Sequence, residues 1–336
     1  MSDMSDFTGP MAGDRIDDRR TQQREGAEDR IAGVLVAAGD AFARKQGAEL
    51  LAWSEAARQL TEGRTPEERR TMMIAARRVF SPTVLRIMIE RALRRPEEQQ
   101  RTAAILRWIG PEGLEAMIDG VSETEAVAPR QFLHDALAAE PAAFPLVLPL
   151  LSNSRPHVVR HGAELLGRLA DSRAVAPLTA LVAHPAERVR AAAIRALAGF
   201  DDPAALHAIQ AGLTHASPDT RSEAARAAAD FGRESLIGRL LLAFGREEDS
   251  SVRRELATAA ARLGAAGDLA EAALDRRSLF RWRGRAVEQR LDAVAGLAAA
   301  GTPESRRLLD RLVREGDTPV RDAADRALSV RRAAGG

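Results

Sequence analysis

The same arginine returns again and again along this chain, each time at the head of the same apolar pattern. From Arg101 through Arg130, Arg190, Arg221, Arg253 and Arg290 to Arg321, the successive steps in position are 29, 60, 31, 32, 37 and 31. The step of 60 hides one more unit, centred on Val159 with Arg160 one place late. Self-similarity at a fixed period of this length marks a solenoid, in which each unit buries its apolar face only against its neighbours. That architecture provides a surface for holding something, and the repeat does not encode what is held.

Three places after each anchor stands a small or apolar residue: Ala104, Leu133, Gly162, Ala193, Ala224, Leu256, Ala293 and Ala324. Seven places after it stand Trp108, Leu137, Leu166, Leu197, Ala228, Ala260, Leu297 and Leu328. Offsets of three and seven share one face of a 3.6-residue helix, so each anchor opens a helix with an Ala/Leu stripe. A second apolar segment of helical spacing lies between these helices. Examples are Val175, Leu178 and Leu181, then Leu240 and Phe244, then Leu309 and Leu312. Asp202-Pro203 and Thr302-Pro303 place a capping side chain before a proline at the first helical position. Gly232, Gly264 and Gly301 follow helix ends, where a left-handed residue is favoured. The predicted fold is therefore all-α, a superhelix of stacked antiparallel helix pairs.

Segments such as 184–198, "HPAERVRAAAIRALA", resemble the short HEAT-like repeats of the bilin-lyase type. The resemblance covers residues 97–330. It implies an α-solenoid and permits a chaperone-like lyase subunit, without supplying a catalytic residue. HEAT-like deoxyhypusine hydroxylases hold iron through His-Glu dipeptides, and none of the six histidines here is followed by Glu.

Composition agrees with thin layers rather than one large core, since aromatics make up only 4% of the chain. Cysteine is absent, which removes disulfides and thiolate chemistry. The start of the chain lacks a signal-type apolar core, and Ala142 to Leu151 is interrupted by Pro145 and Pro149. These features predict a soluble, cytoplasmic protein with no membrane contact. Residues 1–24 are polar and aperiodic and are expected to be a disordered tail. Residues 25–95 are helical but off register, which suits an N-terminal capping region with degenerate repeats. The solenoid is expected over 96–330, and a flexible tail over 331–336.

The arginine column is expected to be structural, each guanidinium bonding a turn carbonyl or an acid of the preceding unit such as Asp171, Asp202 or Asp230. Positions one, two, five and nine after each anchor are expected to form an open face. It includes Arg160, His161, Arg195 and Arg226 among acids of similar number, such as Glu223 and Glu255. Mixed signs and a net charge of +1 argue against nucleic acid and for a protein partner read by complementary charge. The segment 275–290 departs from this balance. Arg276, Arg277, Arg281, Arg283, Arg285 and Arg290 face only Asp275 and Glu288, a net charge of +4, with Phe280 and Trp282 between them. Arginine beside an exposed aromatic suits phosphate or acidic-peptide recognition. We take Arg276, Arg277, Arg281, Trp282, Arg283 and Arg285 as candidate partner-binding residues, together with Arg160, His161, Arg195 and Arg226.

No glycine-rich phosphate loop, G-x-S-x-G or H-E-x-x-H is present, and nothing calls for a metal or cofactor. His184 and His215, one repeat period apart, read as a turn feature of the repeat. The leading expectation is a noncatalytic scaffold or adaptor for a protein whose identity the repeat does not encode. The alternatives are the lyase-type subunit, and an anion or nucleic-acid binder acting through 275–290. Oligomeric state is likewise not encoded.

Overall fold

The computed structural model describes residues 29–30, 32–62, 64–124, 127–275 and 285–334. Among these residues there are helices and turns and no strand. The chain forms two compact units, Met1–Leu146 and Val147–Gly336. Their division falls at 146/147. Around residue 95, the Arg91 guanidinium donates to both carboxylate oxygens of Glu98 at 2.5 and 2.6 Å.

The first unit contains α1 (Ala32–Ala43), α2 (Gly47–Leu60), α3 (Pro66–Val79), α4 (Pro82–Arg94), α5 (Gln99–Ile109), α6 (Pro111–Glu123) and α7 (Val127–Ala138). Helix α3 starts at a capping box. The Thr65 hydroxyl accepts from the Glu68 amide, and the Glu68 carboxylate accepts from the Thr65 amide. Helices α4, α5 and α6 pack on one another through Leu85, Met88, Ile89, Ile105, Leu106, Leu114 and Met117, all buried. Gly120 lets α6 approach α4, because a Cβ there would lie 3.0 Å from Ile89. The repeat register expected from Arg101 does not hold in α5, whereas Leu133 and Leu137, three and seven places after Arg130, are 0% exposed. Arg101 is exposed, and the buried residues of α5 are Thr102, Ala103, Ile105, Leu106 and Ile109. Trp108 is only half-buried, its indole N–H donating to the Thr61 hydroxyl at 2.8 Å.

After the single turn α8 (Phe144–Val147), the second unit runs α9 (Pro156–Leu169), α10 (Val175–Leu181), α11 (Glu187–Leu197), α12 (Pro203–Gly212), α13 (Pro218–Phe231), α14 (Ile237–Arg246), α15 (Ser250–Arg262), α16 (Ala266–Leu274), α17 (Arg285–Ala300), α18 (Pro303–Glu315) and α19 (Thr318–Ala334). The helix α19 continues to Ala334, through most of the expected C-terminal tail. Odd-numbered helices stack on one another from α9 to α19; α9 packs against the 3-10 segment Leu148–Ser152, and each later one against its even-numbered neighbour. In this unit the offset positions are core: Leu166, Ala193, Leu197, Ala224, Ala228, Leu256, Ala260, Ala293, Leu297 and Ala324 are all 0% exposed.

Small side chains set the helix spacing. A Cβ on Gly296 of α17 would stand 2.3 Å from the Ala257 Cβ of α15, so the two helices meet with nothing between them. The turns follow the expected chemistry. Asp202 accepts from the Ala204 amide at 2.7 Å and Thr302 from the Ser305 amide at 3.1 Å. Gly232, Gly264 and Gly301 adopt φ of 72°, 112° and 69°.

Candidate functional site

Within the second unit, the repeating arginines lie between successive repeats. The Arg190 Nε donates to the Thr220 hydroxyl at 2.9 Å, while its Nη1 donates to the carbonyls of His184 and Pro185. Arg221 repeats the pattern on the carbonyls of His215 and Ala216, and grips Glu247 with two bonds of 2.7 and 2.8 Å. Arg253 takes the carbonyls of Glu247 and Glu248 and pairs with Asp292 at 2.7 Å. Arg290 reaches Ala273 O and both oxygens of Asp317. Arg321 donates to the turn carbonyl of Gly316, and in the first unit Arg130 donates likewise to that of Thr124.

From Arg190 to Arg253 each such arginine bonds its own turn, Arg290 bonds a carbonyl of α16 instead, and all four reach forward into the next repeat. The acids belong to the following unit, which corrects the expectation of a preceding one. Asp171 instead pairs with Arg173, Asp202 caps α12, and Asp230 meets Arg262. The turn carbonyls are presented by a repeated histidine. The Nδ1 atoms of His184 and His215 accept from the amides two residues on, Ala186 and Ser217, each at 3.0 Å. Burial, then the charges of Arg190 and Arg221, push the His215 imidazole below its ordinary value.

The expected open face is partly closed. Several residues two places after an anchor are buried, namely Phe132, Glu223 and Asp292 at 9%, 7% and 6% exposure and His161 at 2%, while Glu255 stays half-buried. The neighbouring helix covers that arc as well as the Ala/Leu stripe. His161 therefore belongs to the buried side of α9, beside Gly162, and its Nε2 lies 2.7 Å from Arg160 Nη2. Arg160 also donates to Glu164 at 3.0 Å. Positions five places on remain half-exposed but are spent on a second ladder. Arg195 donates to Glu223 at 3.1 Å and Arg226 to Glu255 at 2.8 Å. One place after its own anchor, Arg254 stands 3.4 Å from Asp292. Arg276, Arg277, Arg281, Trp282 and Arg283 lie outside the described residues, as does the side chain of Arg285, the first residue of α17.

A different surface, not singled out by the repeat, lies in the first unit. Helices α4 and α6 flank a groove of about 720 Å³. Its apolar lining includes Phe80, Pro82, Leu93 and Ala116. Its charged lining is Glu90, Glu112, Glu115, Asp119 and Glu123 against Arg77 and Arg86. Arg77 pairs with Glu112 at 3.0 Å, and Arg86 stands 3.9 Å from Glu90. Among the described residues, none stands within ion-pair distance of Glu115, Asp119 or Glu123. Partial burial raises the Asp119 carboxyl above its ordinary range, and Glu123 one turn on adds to the rise. The outer oxygen of Glu112, Oε2, is shut off from solvent without a hydrogen-bond donor. The signal was present in the sequence. From Pro111 to Glu123, α6 carries acids at 112, 115, 119 and 123 and no basic residue.

Residues 114–198 and 178–262 match the family model for HEAT repeats. The stretch 114–262 is thus built of HEAT repeats, and the protein is an all-α HEAT-like solenoid. No curated protein matches the chain. Among solved structures, Kap121p aligns with a TM-score of 0.51 and 12% identity over 87% of this chain. The alignment covers only 37% of the Kap121p chain, and at that identity the likeness is one of fold. The complex of CpcE and CpcF of phycocyanin lyase from Nostoc sp. PCC7120 aligns at a TM-score of 0.36 and 19% identity, over 64% of this chain and 92% of that one.

Proposed function

We propose that this chain is a noncatalytic HEAT-repeat scaffold or adaptor that holds a protein partner. The observation that carries this reading is the contrast in how surface charge is used. Along the stacked helices of the second unit, Arg195 and Arg226 pair with acids of the next repeat, whereas the groove along α4 and α6 gathers three carboxylates without a counter-ion among the described residues. Matched ladders fix the scaffold, and unmatched charge on an apolar-walled groove is what a protein surface offers to a partner of opposite charge.

Reciprocal capture tests the proposal. The tagged chain is cross-linked in its native host, the partner is identified, and the two purified proteins are mixed. A complex that survives purification from both tagged ends supports the scaffold reading. Failure of every candidate to bind as a purified pair overturns it.

A further inference from the structure

Resting on the reading of this chain as a protein-binding scaffold, we infer that the α4/α6 groove receives an extended basic segment of the partner, with arginine or lysine at every second position. The inference comes from spacing as well as from charge. Glu115, Asp119 and Glu123 succeed one another four residues apart on α6. At a rise of about 1.5 Å per residue they are spaced by about 6 Å along the helix axis. In an extended chain, side chains on one side recur every second residue, at about 6.5–7 Å. A basic-x-basic-x-basic segment laid along α6 therefore sets one cation against each carboxylate in turn. A helical ligand would need basic residues four apart, and a compact multivalent cation would meet only one carboxylate at a time.

One further feature favours a basic occupant over solvent alone. Like charges at successive turns of one helix repel, and Asp119 registers that repulsion together with its partial burial. A cation between them offsets the repulsion.

The test uses the full chain and two synthetic peptides of equal composition and charge. One has arginine at alternate positions, Arg-Ser-Arg-Ser-Arg, and the other has its arginines adjacent, Arg-Arg-Arg-Ser-Ser, each with the same neutral flanks. Titration calorimetry at low salt is expected to show the alternating peptide binding about tenfold more tightly. The combined variant Glu115→Gln, Asp119→Asn, Glu123→Gln should lose about tenfold in affinity for it. Neutralising the exposed acids Asp219, Glu234 and Glu304 instead should change nothing. Wild-type affinity should fall between low and physiological salt. Equal affinity for the two peptides overturns the register. Unchanged binding by the groove variant, with circular dichroism and urea midpoint as in wild type, overturns the site. In that case reciprocal capture of a protein partner by the same variant still supports the scaffold reading, so the two proposals fail separately.

Discussion

Helix α6 of the first unit and helices α13 and α15 of the second all carry acids, yet use them in opposite ways. Glu223 and Glu255 each meet an arginine from the repeat before, Arg195 and Arg226. Glu115, Asp119 and Glu123 meet none among the described residues. The difference teaches what a period does for electrostatics. Where the repeat is in register, an arginine at one offset finds an acid at a fixed offset one unit later. On α6, after Arg101, these three acids have no such partner among the described residues.

A series of substitutions and one titration test that contrast, beginning with the largest expected effect. Arg253 is 2% exposed and bonded to Asp292 and two carbonyls, so Arg253→Ala strands a buried carboxylate and should cost about 3–5 kcal/mol. Its half-exposed neighbour Arg254 serves as the control. Equal shifts of the urea midpoint for the two alanine variants would show that burial does not matter to the ladder.

Next in size is Arg221→Ala, at about 1–3 kcal/mol through unpaired turn carbonyls and Glu247. A double-mutant cycle with Glu247→Gln should give a coupling of about 0.5–3 kcal/mol, and zero coupling would contradict the forward contact. Burial pushes the Glu247 carboxyl up, but Arg221 and the amides of Asp249 and Glu248 bring it to a net value below the ordinary one. Its stabilising contribution is therefore present above the ordinary glutamate value and lost as pH falls through the lowered one. Glu247→Gln should flatten the acid limb of the stability curve.

Arg226 sits in the outer ladder with its side chain 54% exposed. Arg226→Ala should cost no more than about 1 kcal/mol, measured by the same midpoint, and a loss as large as that of Arg253→Ala would erase the distinction between inner and outer ladders. Smaller still, Glu115→Gln with Asp119→Asn should raise stability by about 0.2–0.5 kcal/mol, by removing a like-charge pair. A loss instead would mean these acids have structural partners. Last, the His215 imidazole should titrate below 6.5 by NMR. The depressed value means its share of stability is held above the ordinary histidine value and lost as pH falls below it. Arg221→Ala, which removes one of the two neighbouring cations, should move the titration upward.

Much of the second unit was legible residue by residue. Offsets three and seven from Arg190, Arg221, Arg253 and Arg290 are core, and the capping and glycine signals at Asp202, Thr302, Gly232 and Gly301 mark the turns that form. Offset two was misplaced because a helix wheel shows which residues share an arc but not how wide an arc the neighbour covers. Glu223 and Asp292 are buried by the close approach that alanine and glycine permit, as at Gly296 on Ala257. The α6 groove escaped notice because its acids belong to no repeating column.

The sequence alone determined the all-α repeat, its period, its Ala/Leu layers and the turns between them, since these depend on spacing within a single repeat period of chain. Only the tertiary structure decided the direction in which each arginine reaches, the pairing of Arg195 and Arg226, the burial of His161 and the unmatched carboxylates of α6. The ladder contacts join residues a whole repeat apart in sequence, as Arg221 with Glu247 and Ser250 with Asp292. Local periodicity sets which side chains emerge on a helix face. Which charges then neutralise each other depends on distances of a few ångströms between helices, and these are settled only by packing.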